Sequence, residues 1–396
     1  MSWSAEGGGR AHDARFGGFA LLSYPNVMWS FHRTSIAGLA VFAAAVSLGF
    51  PVKAGSGETL TVTSWGGAYA TSQKEAYGRS FEAGTGIHIV WEEYRGGLEQ
   101  VRAQVGSGKV VWDVVDVFGH DARAGCEDGL FERLGDEFYR EAGIDGDLLI
   151  DRPNDCVGPN ILWSWVTAYD ARDFARRAPE TLDAFFDLET FPGKRAIGVY
   201  PQANLEMALV ADGVPPGEVY AVLDTEEGVR RAFAKLSTLK GNLAFWSAGE
   251  EPVEMLADGT VAMAIAYNGR IGAAALDGKD WLSPVWDGQV VEEEWFVIPK
   301  GTAKLEAARA FLGHAAQPQQ QAAQAKWITY GPMRGSALDI IARGEPWFHT
   351  GAPVLPHLPT TTARLNRSVI SDPAWWARRS GELTERFAAW RKNLGN

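Results

Sequence analysis

Glu292, Glu293 and Glu294 stand in a row directly ahead of the apolar run 295–299 (WFVIP). Alternation at a strand start sends Glu292 and Glu294 to one face and Glu293 to the other. A carboxylate at a strand end can hold an ammonium group; the plainer reading of such a run is a solvated surface. Arg95 and Arg270 are the counterweight, since a guanidinium clamps a ligand carboxylate through two parallel hydrogen bonds. The chain has 16 Trp, and Trp65, Trp163, Trp165, Trp246, Trp281, Trp286 and Trp295 fall near expected loop–strand junctions. Most must serve as core, but an indole at a strand end can box an organic ligand by stacking or hold an amine by cation–π attraction.

Catalytic constellations are absent from the sequence. None of the 7 His makes HExxH or a ligand-spaced cluster with carboxylates, and there is no GxSxG, GxxxxGK[ST] or GxGxxG after the first strand. Two other chemistries have candidate residues. His120 with a nearby carboxylate would be the acid/base pair of a secreted hydrolase or transferase. Tyr267, Tyr330 and Glu294 would be the ligands of a ferric-ion carrier. Neither set has diagnostic spacing, so the expectation is a binding protein with no catalytic residue, no metal and no cofactor.

The elements that must position these residues follow from periodicity. Residues 59–64 (TLTVTS) read as a strand ending on the Trp65-Gly66-Gly67 turn, 70–83 as a helix, and 87–92 (IHIVWE) as a second strand. A helix over 98–105 leads to a third strand, 111–118 (VWDVVDVF). This alternation is the pattern of an α/β sheet covered on both faces. Ligands of such sheets bind at the carboxyl ends of strands, where Trp65-Gly66-Gly67 and Phe118-Gly119-His120 fall. A second α/β run has strands over 195–200, 261–267 and 295–299 and helices over 181–186, 205–210, 226–239, 252–257 and 305–314. Ser247 and Glu250 are placed as a capping box for the helix at 252.

The ends and the composition set the compartment. Residues 34–50 are uncharged and apolar, preceded by His32 and Arg33 and followed by Pro51-Val-Lys-Ala54. This is the layout of a secretory signal peptide cleaved after Ala54. Met28 would start a signal of ordinary length, making 1–27 a misassigned start; a retained anchor is the alternative. The leader carries Arg10, Arg15, Arg33 and Lys53 against Glu6 and Asp13, so the remaining 342 residues hold a formal charge of −14 against −12 for the whole. That balance argues against nucleic acid or an anionic membrane surface as partner. Cys126 and Cys156 are the only cysteines, and an even pair in an exported chain reads most simply as a disulfide. A catalytic thiol is the competing use, without a CxxC to support it.

The order of motifs resembles the extracellular solute-binding proteins of ABC importers, in the spermidine/putrescine branch. The resemblance runs from TVTSWGGAY through YRGG, VWDVVDV, Gly125-Cys126, Asp155-Cys156-Val157-Gly158, residues 163–169, AMAIAYNGR, WFVIPKG and Tyr330-Gly331-Pro332 to Asp372-Pro-Ala-Trp-Trp376. It implies a two-lobed type II periplasmic-binding fold, each lobe a mixed sheet flanked by helices with the ligand in the cleft. Lobe 1 would comprise 57–165 plus 293–339, and lobe 2 would comprise 166–292 plus 340–396. It also implies a periplasmic monomer that takes a small molecule, polyamine-like by branch, to a permease in the inner membrane. Carried over by residue, Trp65, Gly66, Tyr69, Phe118 and His120 form one wall. Tyr267 stands where a stacking Trp is usual and Asn268 follows it, Glu294 grips an amine, and Tyr330 closes the pocket.

The departures concern the second amine. YPQANL at 200–205 has no carboxylate where polyamine binders carry one, and Glu292 replaces an expected Trp. An opine, an amino-acid-like compound or another carboxylate-bearing solute, paired with Arg270 or Arg95, is the alternative ligand.

Overall fold

The computed structural model describes residues 57–394. The expected signal peptide lies outside the described residues. Ten strands make one sheet, in the order β2-β1-β3-β8-β4-β7-β5-β6, with β10 added beside β8 and β9 beside β4. They are β1 (Thr59–Ser64), β2 (His88–Glu93), β3 (Val114–Phe118), β4 (Val157–Asp170), β5 (Arg195–Gly198), β6 (Leu243–Trp246), β7 (Met263–Tyr267), β8 (Leu282–Val297), β9 (Gly331–Pro332) and β10 (Val369–Ile370). The sheet is mixed: β1 runs parallel to β2 and β3, and β5 parallel to β6 and β7, while β8 is antiparallel to β3 and β4.

The 14 residues of β4 and the 16 of β8 form a long central ribbon. β2-β1-β3 attach to one side of it and β7-β5-β6 to the other. Every residue of β4 is buried, so it carries no polar–apolar alternation to mark it as a strand. β8 begins earlier than the apolar WFVIP run suggests, at Leu282, and brings the three glutamates into the middle of the sheet.

Separate apolar cores lie on the two sides. Leu60, Val62, Tyr77, Phe81, Phe296 and Phe311 belong to one, together with a neighbouring cluster around Val115, Val117 and Trp295. Phe185, Leu205, Leu209, Trp246, Ile265, Trp376 and Phe387 belong to the other. The 22-residue terminal helix Pro373–Leu394 packs its buried Trp375, Trp376, Leu383 and Phe387 onto the second. No helix among the described residues is long and apolar enough to cross a membrane.

Two local details are specific. Cys126, in helix Gly119–Glu127, is bonded to Cys156 just ahead of β4, closing a separation of 30 residues. The chain-entropy account gives such a loop about 3–4 kcal/mol of stabilisation. The capping acid of helix Glu251–Ala257 is Glu251, which accepts from the Ser247 amide at 2.8 Å, rather than the expected Glu250. The helix starts one residue earlier than its proline suggests, so the acid that reaches back is shifted by one.

Candidate ligand-binding site

Strand register brings the candidate residues together. In the antiparallel pair of β3 and β8, Phe118 lies opposite Glu294 and Asp116 opposite Phe296. Opposed residues share a face, as do residues two apart on one strand, so Asp116, Phe118, Glu294 and Phe296 point the same way. On the other flank of β8, Ile161 lies opposite Glu294 and Trp163 opposite Glu292. Trp165 is opposite both Val290 of β8 and Tyr267 of β7.

One wall surrounds Glu294. The Trp65 indole packs 4.3 Å from the Phe118 ring and 5.1 Å from the Tyr94 ring, measured between centroids. Gly96 admits it, because a Cβ there would stand 2.7 Å from the indole. Gly66 has φ 79° and starts helix Gly67–Gln73; a Cβ there would lie 2.5 Å from the Glu93 carboxylate. That geometry requires glycine. The turn delivers Tyr69, whose hydroxyl accepts from Asn160 Nδ2 at 2.9 Å and whose ring meets Tyr330 edge-on at 5.7 Å.

Behind Glu294 lies Asp116, which site assignment from the sequence passed over. It is fully buried, and its Oδ2 accepts from Gln73 Nε2 at 2.7 Å and from Ser64 Oγ at 3.3 Å. Asp116 Oδ1, Glu294 Oε2 and Trp65 Nε1 are buried without a hydrogen-bond partner. Burial raises the Asp116 carboxyl, and burial together with the neighbouring Asp116 charge raises Glu294 well above the usual carboxylate range. Neither carboxylate has an ion-pair partner among the described residues.

The second wall is aromatic, with Arg270 beside it. Tyr267, at the end of β7, packs 4.3 Å from Trp165, 5.4 Å from Trp163 and 5.6 Å from Trp246, and its hydroxyl lies 3.2 Å from that of Tyr200. Trp163 also lies 6.4 Å from Phe118, so the rings form one continuous lining across the two walls. Arg270 is exposed, with no carboxylate partner among the described residues. Gly249 leaves room for the Tyr267 ring, from which a Cβ there would stand 2.8 Å. Gly269 likewise has no space for a side chain because the Tyr330 ring lies against it.

Not every candidate side chain is available. The Asn268 side chain accepts from the Ser164 amide at 2.9 Å and donates to the Thr329 carbonyl at 2.8 Å, so it pins β4 to the segment carrying Tyr330. His120 stacks on Phe118 at 5.6 Å with its side chain about half exposed, 3.6 Å from Asp121. Arg95 is exposed on the loop after Tyr94. Trp281 and Trp286 are covered by Arg172 and Arg364, whose guanidiniums lie 3.6 and 4.2 Å from their rings.

The three glutamates are not a solvated run. Glu293 is buried on the opposite face, against Gly119, with its carboxyl pushed by burial to about 7. Glu292 keeps some accessible surface but is ringed by protein, and its carboxyl is pushed by burial to about 8. Glu206 follows directly on the YPQANL segment. It is fully buried, accepts from Trp376 Nε1 at 2.8 Å and Tyr220 hydroxyl at 3.0 Å, and is pushed by burial to about 7. It and Glu292 repel one another.

This fold is shared with solved two-lobed periplasmic binding proteins. An ABC transporter substrate-binding protein from Bradyrhizobium japonicum USDA 110 superimposes with a TM-score of 0.72 at 31% identity, over 84% of this chain and 99% of that one. The binding protein MotA from A. tumefaciens B6, solved with glucopine, gives 0.67 at 25% identity, over 84% of this chain and 99% of its own. In sequence, the gamma-aminobutyric acid-binding protein of Pseudomonas aeruginosa is 39% identical over 360 residues, which is 91% of this chain and 96% of the relative. Residues 76–352 match the family of bacterial extracellular solute-binding proteins, and the chain belongs to that family. It is a substrate-binding protein of the ABC-transporter class and not an enzyme. The spermidine/putrescine branch expected from the motifs is not singled out, since the matched family is the broader one and the curated relative is a gamma-aminobutyrate binder.

Proposed function

We propose that the two walls close on a small organic solute carrying both an ammonium and a carboxylate group, of the gamma-aminobutyrate or opine type. The ammonium would sit against Glu294 within the Trp65, Tyr69 and Tyr330 rings, and the carboxylate would pair with Arg270. The observation that carries this reading is a mismatch of charges. Among the described residues, two adjoining buried carboxyl groups have no cation, while Arg270 across the aromatic lining has no anion. The similarity to a gamma-aminobutyric acid-binding protein, whose ligand carries both groups, and to a binding protein solved with glucopine supports it.

The lobes would be 57–165 plus 293–339 and 166–292 plus 340–396, with β2-β1-β3 in one and β7-β5-β6 in the other on either side of the β8–β4 ribbon. The receptor would act as a monomer in the periplasm, exported by the signal at 28–54, and deliver its solute to a permease in the inner membrane. Hinge closure around a ligand is the established motion of such architectures.

The polyamine-like reading has one observation in its favour. Glu292 lies beside Trp165 and Tyr267 with Glu206 behind it, so the second wall holds carboxylates that a second ammonium could use. A thermal-shift comparison separates the two. Gamma-aminobutyrate at a hundredfold excess over its Kd should stabilise the protein by about 2.7 kcal/mol. Stabilisation by putrescine but not by gamma-aminobutyrate would move the assignment to diamines.

A further inference from the structure

Asp116 and Glu294 are diagonal neighbours across β3 and β8, a placement that sets their backbones roughly 7–8 Å apart and their carboxylates within reach of one another. The donors around them are distributed unequally. Asp116 receives Gln73 and Ser64 and has the Tyr69 hydroxyl within hydrogen-bonding reach, while Glu294 has the Trp65 indole and Tyr69 nearby and an Oε2 without a partner. A carboxylate with several donors remains ionised, and the carboxyl beside it keeps the proton. Among the described residues, every titratable group facing the pair is neutral or acidic: Tyr69 and Tyr77 from the first helical segment, Tyr94 after β2, and Tyr330 after the helix Pro318–Gln324. Arg270, felt at Tyr330, is the basic group on the far side.

We propose that Asp116 is a positioning residue that holds a proton on Glu294 while the site is empty, and that the arriving ammonium displaces this proton to solvent. In the empty site the Glu294 carboxyl O–H donates to the Asp116 carboxylate. On binding, that O–H bond breaks, the proton leaves to solvent, and the ammonium N–H groups donate to the Glu294 carboxylate instead. The bound site holds two carboxylates and one ligand cation, where the empty site held one carboxylate and one carboxylic acid. An alkylammonium has a pKa of about 10.4 and keeps its own proton, so the one released comes from the protein.

The sign of the pH dependence follows. The occupied protein binds one proton fewer than the empty one, so affinity for an amine rises with pH, by up to about tenfold per pH unit while Glu294 is protonated in the empty site. Asp116 thereby also sets selectivity: a neutral isostere of the amine cannot compensate the second charge and leaves the proton in place.

This inference rests on the amine reading of the site, and calorimetry separates the two. Gamma-aminobutyrate is titrated into the full secreted chain near pH 6.5, in two buffers of different protonation enthalpy. The wild type should release about one proton per ligand bound. Asp116→Asn should bind more weakly and release fewer protons per ligand than the wild type, and Glu293→Gln, altered on the opposite face, should release as much as the wild type. Binding without proton release in the wild type, or an unchanged proton count in Asp116→Asn, overturns the proposal and leaves the amine reading standing. If neither gamma-aminobutyrate nor putrescine gives saturable heat, both fall together. A wild-type affinity series across pH is a second check that needs no variant to fold, and a flat series contradicts the proposal.

Discussion

The two walls differ in the charge they hold and in how dry it is. The Glu294 side has two adjoining carboxyl groups, one fully buried and one 5% exposed, with no cation beside them among the described residues. The Tyr267 side presents Arg270 in the open, beside packed rings with Glu292 and Glu206 behind them. Taking charge out of water is costly, so a protein that keeps two carboxyl groups side by side in its interior gives up stability for something other than stability. The exposed arginine costs little and can wait for its partner in solvent. On the proposed reading the buried wall selects an ammonium by electrostatic need, and the exposed one recruits and orients a carboxylate.

The largest effect should come from the buried wall. Glu294→Gln should weaken binding of an amine by about 2–4 kcal/mol, thirty- to a thousandfold, read by isothermal titration, because the ligand cation is then left without its counter-charge. Arg270→Ala should cost about 1.5–3 kcal/mol for gamma-aminobutyrate and close to nothing for putrescine. Equal losses for both ligands would erase the distinction between the walls.

Stability gives two further tests. Replacing Cys126 and Cys156 together by serine should lower stability by about 3 kcal/mol in denaturant titrations, with ligand affinity retained, since the bridge lies outside the lining. The buried carboxyls Glu206, Glu292 and Glu293 are raised to about 7, 8 and 7 by burial. The folded chain therefore holds protons that the unfolded chain gives up near pH 4.3. That stability is present at acid pH and is lost as pH rises toward 8, so the empty protein should melt at a higher temperature near pH 5 than near pH 8. Glu206→Gln should flatten the slope. The smallest change belongs to Tyr267→Phe, which removes only the 3.2 Å hydroxyl contact with Tyr200. It should cost no more than about 1 kcal/mol of stability.

How much of this was legible in the sequence depends on the kind of residue. The turn at Trp65-Gly66-Gly67 and the strand end at Phe118 were readable because punctuation and β-branched runs are local signals. The central strand β4 was not, because a strand buried at all 14 positions has no period of two to detect. The alternation of Glu292, Glu293 and Glu294 was legible as a pattern, but their burial was not, since it depends on β3 and β4 flanking them on either side. Asp116 had a signal that went unused for the site: a lone acid inside the apolar run VVDVF must be satisfied or functional. Glu206 lies one position beyond YPQANL, and its partners Trp376 and Tyr220 come from distant parts of the chain.

The central claim is that one solute is held by its ammonium on Glu294 and by its carboxylate on Arg270. Isothermal titration of gamma-aminobutyrate into wild type, Glu294→Gln, Arg270→Ala and the double variant tests it most directly. One-to-one saturable binding is expected in the wild type. Each single variant should lose at least about tenfold, and the double variant should lose more than either, because the two contacts lie at opposite ends of one ligand. Undiminished affinity in either single variant, or no saturable binding of gamma-aminobutyrate to the wild type, would contradict it.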